Sequence, residues 1–456
     1  MLILQDACVR LKRMLQSAEL SERGLLMTGR LILAAILSDG RMSAVAAAGI
    51  VRSQTCHRAQ VGRFLSRAFW RNKDVLGCLQ RELLKGWALK GISVLCLDST
   101  LVSRQGTHTE NTFSTKNNPR RSSKKNAKGR RYHQSKHSPR RCHTFVMGLL
   151  IGPDGTRLPL VRKYLTKDYC QRRKLTHQTQ AELGADIVRT LPLPPSAPLI
   201  VLGDTAFEAA SVRAACAERH ATGIVPRNPE RVFETAKPRP KVSSELKQTA
   251  KRWTTVRLRP GHGDQAVYRR LSAHRVGSKA KVRTYYVRGE CRTVHSVGEV
   301  LLVVSTKHQP KTGRPPRDPK ILMTNDRSLT PRQVTAWYSL RWQVELFFKE
   351  LKSDLGLARY GFREFDKVSR WVDVILSAFT YLEWTRRQKL QQRNLPEASR
   401  LWWTNQRTHG LCLAVRQASE HADLQALSDR LQTPGGLRSA KRTLRQALQA
   451  EARSAM

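Results

Sequence analysis

The chain has 456 residues with 82 Lys and Arg against 35 Asp and Glu, a formal charge of +47 that calls for a polyanionic partner. With 40% hydrophobic residues it is long enough for roughly two to four cored domains, which excludes a disordered basic tail. Nucleic acid is the favoured ligand and an anionic membrane the alternative; no apolar run reaches the roughly 18 residues of a membrane span, so a soluble, intracellular protein is expected.

Nine scattered cysteines, with no Cys-x-x-Cys pair and no zinc-finger spacing, imply reduced thiols and no structural zinc. The opening "MLILQDACVR" meets charge too early for a signal peptide. From Leu2 to about Lys90 apolar residues recur at helical spacing, and "MSAVAAAGIVRSQTCHRAQVGRFLSRAFW" resembles a helix, a turn and a basic second helix. Residues 1–90 are therefore read as a helical, DNA-binding region, with a plain helical bundle as the alternative.

The period then changes. "GISVLCLDST" is a short β-branched run bounded by Gly91, a buried strand ending in Asp98. Between Lys116 and Arg141 come eleven Lys or Arg and no acid, a loop suited to phosphate contact or to solvation. "TFVMGLLIGPDGTRLPLVRKYL" predicts a hairpin about Pro153-Asp154-Gly155. "HQTQAELGADIVRTL" predicts a helix, "LIVLGDTAF" a second buried strand ending in Asp204, and "EAASVRAACAERH" another helix. Residues 91–226 thus form the first part of an α/β core with mixed strand directions. Residues 227–320 read as a β-rich insertion built on "TTVRLRP", "KVRTYYVRGE" and "VGEVLLVVSTK". "ILMTN" returns to the sheet and a long helix follows within 321–387. The last stretch, 388–456, is helical and charged, suited to dimerisation or DNA binding.

That long helix contains "YSLRWQVELFFKELK". At about 100° per residue Tyr338, Arg341, Glu345, Lys349 and Lys352 fall on one polar face, beside an apolar stripe of Leu340, Val344, Phe347, Phe348 and Leu351. A solvated salt-bridge ladder would look the same. Asp98 and Asp204, each placed where an unpaired carboxylate would be costly, favour a cleft in which three carboxylates gather about a divalent ion. Mg²⁺ (or Mn²⁺) takes oxygen ligands and substrate phosphate, and two such ions suit in-line displacement at phosphorus. Arg341, Lys349 and Lys352 would neutralise phosphates, and Tyr338 would hydrogen-bond or pack against the DNA backbone.

The spacing Tyr-x2-Arg-x3-Glu-x6-Lys, met at Tyr338, Arg341, Glu345 and Lys352, resembles the signature of the insertion-sequence-four family of bacterial DDE transposases. "LCLDST" and "VLGDTAF" look like that family's two Asp blocks, and the resemblance spans about Gly91 to Arg386. It implies an RNase H-like mixed sheet flanked by helices, with a β-rich insertion before the Glu helix. It also implies Asp98, Asp204 and Glu345 as catalytic metal ligands, two Mg²⁺ or Mn²⁺ ions per site, and Tyr338, Arg341, Lys349 and Lys352 at the DNA. The partners would be double-stranded terminal inverted repeats and target DNA, met by a homodimer in a synaptic complex, in a bacterial cytoplasm at the nucleoid. Cut-and-paste transposition is the implied reaction. A related metal-dependent nuclease or resolvase, or a catalytically silent DNA-binding descendant, are the competing functions, separable by inverted repeats flanking the gene.

The sequence departs from certain relatives in carrying Lys320 where they stack a flipped base on an aromatic, with Trp253 as a substitute or simply a core residue. Thr205-Ala206 replaces the glycine or arginine many relatives carry. Glu208 reads as an early helical residue complementing the dipole. Asp154 is a turn residue, His133, His137, Cys142 and His143 match no common metal spacing, and Trp337 and Trp342 read as packing rather than base platforms, with Trp342, at about 40° on the helix, on the side that approaches the cleft.

Overall fold

The computed structural model describes residues 2–38, 58–67, 72–104, 108–114, 141–227, 232–234, 253–258, 283–311, 316–405 and 408–417. Most of the predicted helix-turn-helix, all but the end of the basic stretch 116–141, and the chain after 417 lie outside those residues. In chain order come helices α1 (Leu2–Met14), α2 (Glu22–Leu37), α3 (Arg58–Arg67) and α4 (Asn72–Leu84). Strands β1 (Ser93–Arg104), β2 (Phe113–Ser114), β3 (Arg141–Ile151) and β4 (Arg157–Lys163) follow, then helices α5 (Lys167–Arg173) and α6 (Gln180–Arg189). Next are β5 (Leu199–Leu202), α7 (Ala210–Glu218), β6 (Thr222–Pro226), β7 (Thr254–Leu258), β8 (Arg283–Val294), β9 (Gly298–Thr306) and β10 (Lys320–Thr324). Helices α8 (Pro331–Ser339), α9 (Trp342–Ser353), α10 (Phe365–Leu390) and α11 (Glu397–Asn405) precede a last helical segment over 408–417.

The chain divides into two compact units. One, made of residues 1–86, 349–362 and 366–456, is helical where described. Its core is the apolar side of amphipathic helices, with Leu11, Leu15, Leu31, Ile32, Leu79, Leu83, Trp371 and Phe379 fully buried. Ser21 caps α2 by accepting from the Gly24 amide at 3.2 Å. The buried Arg387 donates to the Leu83 carbonyl at 2.6 Å, tying α4 to α10. No helix among the described residues is long and apolar enough to cross a membrane.

The other unit, 87–348 with 363–365, is built on one ten-stranded sheet. β3, whose run "CHTFVMGLLI" is buried throughout, pairs antiparallel with both β4 and β1. The hairpin turns at Pro153-Asp154-Gly155, where Gly155 takes φ +79° and the Asp154 carboxylate accepts from the Thr156 amide at 3.0 Å. β1 then pairs parallel with β5, and β5 parallel with β6. The order β4-β3-β1-β5-β6, antiparallel and then parallel with helices on the crossovers, is an RNase H-like sheet. β10 adds antiparallel to β6, and β9, β8 and β7 continue antiparallel beyond it. The strands of 254–306 therefore extend the core sheet, and Phe233, Val294, Val300, Leu302, Val304 and Met323 pack together against it.

The helix predicted to carry the whole polar face is two helices. α8 starts at a Thr330 capping box with Pro331 in its first turn and ends at Ser339, and α9 starts at Trp342. Between them the backbone tightens to i→i+3 bonds, Leu340 N–H to Trp337 O at 3.0 Å and Arg341 N–H to Tyr338 O at 3.1 Å. Such a turn eclipses side chains three apart, so Tyr338 and Arg341 keep a common side although the helix is broken.

Candidate active site

Asp98 does not end its strand, as the sequence suggested: β1 runs on to Arg104 because β3 pairs along its full length, with Met147 opposite Asp98. The position is a boundary on the other side. The parallel pairing of β1 with β5 stops at Cys96 and Leu202, and Asp98 and Asp204 each lie two residues past that pair. They face the region beyond the carboxyl ends of parallel strands, where open α/β sheets hold ligands.

Asp204 caps a 3₁₀ turn, Thr205–Phe207, by accepting from the Ala206 amide at 2.9 Å. The turn is anchored by Phe207, fully buried against α6: a Cβ at Gly184 would lie 2.6 Å from its ring. Only glycine admits that contact. Glu208 closes the same turn as a buried residue, two positions before α7, so it is not the helix-start residue the sequence suggested.

Arg341 gathers the rest. One guanidinium nitrogen donates to Asp98 Oδ2 at 2.9 Å and the other to Glu345 Oε1, one turn on in α9. Arg341 and Asp98 are each 16% exposed and Glu345 33%. Tyr338 donates its hydroxyl to the Gly203 carbonyl at 3.4 Å, next to Asp204. The structure thus brings Asp98, Asp204, Tyr338, Arg341 and Glu345 into one neighbourhood of the sheet unit. Lys349 is exposed and Lys352 half-buried further along α9, in the stretch that clusters with the helical unit, where the Lys349 charge acts on Asp354.

The charges are coupled. Burial, reinforced by the negative charges of Asp204 and Glu345, holds the Asp98 carboxyl above its usual range despite the Ser99 amide and Arg341. Burial alone would lower the Arg341 pKa, but Tyr338, Glu345 and Asp98 keep it above its ordinary value. Burial also pushes the Tyr338 phenol up, so it stays a neutral donor. Below the site the Cys96 thiol, donating to the Leu340 carbonyl, is pushed up to about 12 by burial and is no nucleophile.

Carboxylate oxygen is the donor type that Mg²⁺ or Mn²⁺ takes, so the donor set fits such an ion. Among the described residues no three Asp, Glu, His or Cys form one coordination group, and the Arg341 guanidinium holds Asp98 and Glu345.

The other candidates resolve as structure. His143 is fully buried on β3, bonded through Nε2 to the Glu110 carbonyl at 2.9 Å and packed on Phe365, with burial lowering its pKa to about 4. His133 and His137 lie outside the described residues, and Cys142 is a buried thiol that donates to the Ser103 hydroxyl at 3.8 Å. Trp337 is core, whereas Trp342, read as packing, is 50% exposed because it opens α9 after the break. Trp253 packs on the cluster of the extended sheet with Arg288 5.1 Å over its ring. Sequence reasoning missed Gly203 and Ser99, whose backbone groups serve the site; backbone contacts of this kind leave no mark on a residue pattern.

Residues 89–381, well over half of the chain, match the family model described as the transposase DDE domain. No curated protein matches the chain.

Proposed function

From the premise that the chain belongs to the transposase DDE domain family, we propose that it is the cut-and-paste transposase of a bacterial insertion sequence of the insertion-sequence-four family. The family supplies transposase activity, DNA as partner and assembly into oligomers, and its members generally use divalent metal ions. The single observation that carries the finer reading is Arg341 bridging Asp98 and Glu345, carboxylates from opposite ends of the matched region.

On this reading Asp98, Asp204 and Glu345 are the catalytic triad and would hold two Mg²⁺ or Mn²⁺ ions. When bound, such ions activate a water or 3′-hydroxyl and stabilise the leaving oxygen. The protein's own part is positioning. Arg341 offers a planar fork of donors to phosphate oxygens, and Tyr338, neutral and tied to Gly203, packs or hydrogen-bonds along the DNA backbone. Lys349 and Lys352 supply further phosphate contacts, the helical ends serve end binding or pairing of two protomers, and terminal inverted repeats and target DNA are the substrates. Residues 1–90 and 388–456 would be the terminal regions, 91–226 and 321–387 the core, and 227–320 the insertion.

The test is incubation of a labelled duplex from the DNA flanking the gene with Mg²⁺ or Mn²⁺, resolving nicked, hairpin and joined products. Glu345→Gln is expected to abolish metal-dependent cleavage while binding persists. Cleavage undiminished in that variant removes Glu345 from the triad.

A further inference from the structure

Lys320, the first residue of β10, comes to the same site by a route the carboxylates do not share. It is exposed at the sheet surface, yet its Nζ lies 4.5 Å from the centre of the Tyr338 ring. That is within cation–π range. Burial of the ammonium tip lowers its pKa, Arg341 and Lys307 repel it, and Glu345 and Asp204 attract it without pairing with it.

The two cations of the site are therefore in different states. Arg341 is neutralised by two carboxylates. Lys320 lies against an aromatic face beside another cation, and Glu345 and Asp204 offset that repulsion without an ion pair. An ammonium held at an aromatic face next to Arg341, with no carboxylate of the described residues bonded to it, is placed to take an anion arriving from outside. The backbone adds direction: β10 pairs with β6, the strand next to β5, so Lys320 sits across the sheet end from Asp204 with the Tyr338 ring between them.

We propose that Lys320 is a substrate-positioning residue whose ammonium takes a DNA phosphate next to the one at the carboxylates, with the Tyr338 ring fixing its direction. This rests on the reading of Asp98, Asp204 and Glu345 as the cleavage site. In this role Lys320 reads charge rather than sequence, as a phosphate contact does. Arginine at 320 would keep both the charge and the stacking, whereas methionine would keep the stem and lose the contact.

The test compares wild type, Lys320→Met and Lys320→Arg on a labelled duplex from the DNA flanking the gene. Binding in EDTA is measured against salt, and cleavage in Mn²⁺ at saturating duplex. Losing one phosphate contact should flatten the slope of log affinity against log salt by about 0.9. The affinity ratio of wild type to Lys320→Met should therefore shrink about 3.5-fold between roughly 50 and 200 mM salt. Cleavage by Lys320→Met should fall about tenfold, and Lys320→Arg should restore the slope. A lowered melting temperature with an unchanged slope would make Lys320 a structural partner of Tyr338 and overturn the proposal. If wild type cuts nothing while Lys320→Met still flattens the slope, the contact stands and the cleavage reading falls.

Discussion

Replacing Arg341 by methionine isolates what the guanidinium does, because methionine fills much of the volume of the arginine stem and removes the charge together with its N–H donors. Two contributions are lost. The bond to Asp98, charge-assisted at 2.9 Å and 16% exposed at both ends, contributes about 1.5–3 kcal/mol. The pair with Glu345, one turn along and a third exposed, adds only a few tenths of a kcal/mol. Metal-free Arg341→Met should thus be less stable by about 2–3 kcal/mol, with Asp98, Asp204 and Glu345 left to repel one another. On the proposed reading, an incoming Mg²⁺ would compete in wild type with the guanidinium for Asp98 and Glu345 oxygens, and in the variant it would not. At about 1.4 kcal/mol per tenfold, the variant should bind Mg²⁺ about 30- to 100-fold more tightly. Hydrogen exchange at the amides of β1 and β5, titrated with Mg²⁺ from a metal-free start, reads both effects locally, which suits a chain of two units. Equal Mg²⁺ midpoints in the two proteins would refute the competition and with it the shared position of ion and guanidinium.

Other outcomes follow from the surroundings of the site. His143, neutral in the fold with a pKa near 4 against 6.5 when free, makes stability fall as pH drops from 6.5 towards 4, because the unfolded chain takes the proton first. At about 1.4 kcal/mol per pH unit this amounts to about 3 kcal/mol, and His143→Gln should lack that slope in urea titrations run from pH 7 to 4; the same slope in both proteins would show that other groups titrate. Gly184→Ala drives a methyl into the Phe207 ring and should cost about 1–3 kcal/mol. Because Phe207 anchors the turn that carries Asp204, cleavage should fall in that variant even where melting shows it folded, and unimpaired cleavage would detach the turn from the chemistry.

The sequence made the sheet core legible because its strands are continuous β-branched runs and its turns carry their own chemistry, as at Pro153-Asp154-Gly155. Pairing order was not legible: nothing in "TTVRLRP" or "VGEVLLVVSTK" says that those strands would join the core sheet through β10. Helical periodicity hid the break at Leu340, since the apolar stripe continues across it and a tightened turn costs no hydrophobic position. The spacing of Tyr338, Arg341 and Glu345 still led to one place, because i+3 neighbours eclipse in a 3₁₀ turn and i+4 neighbours stack in α9. The exposure of Trp342 and the approach of Lys320 to the Tyr338 ring were not legible for one reason. Exposure depends on what packs opposite, which a single element cannot report.

The break between α8 and α9 also explains how one residue can reach carboxylates on two elements. Had the helix run straight, the Leu340 carbonyl would be committed to the ordinary i+4 amide; instead it accepts from Gln343 at 2.8 Å and from the Cys96 thiol of β1. That contact pins the turn to the strand two residues before Asp98, which is the distance at which the Arg341 side chain, leaving the next residue, meets the Asp98 carboxylate. Glu345 then follows because it is one turn into α9. The position of the carboxylates is therefore set by a backbone irregularity clamped to a parallel strand, and a substitution that regularises the helix should separate them while leaving each element intact.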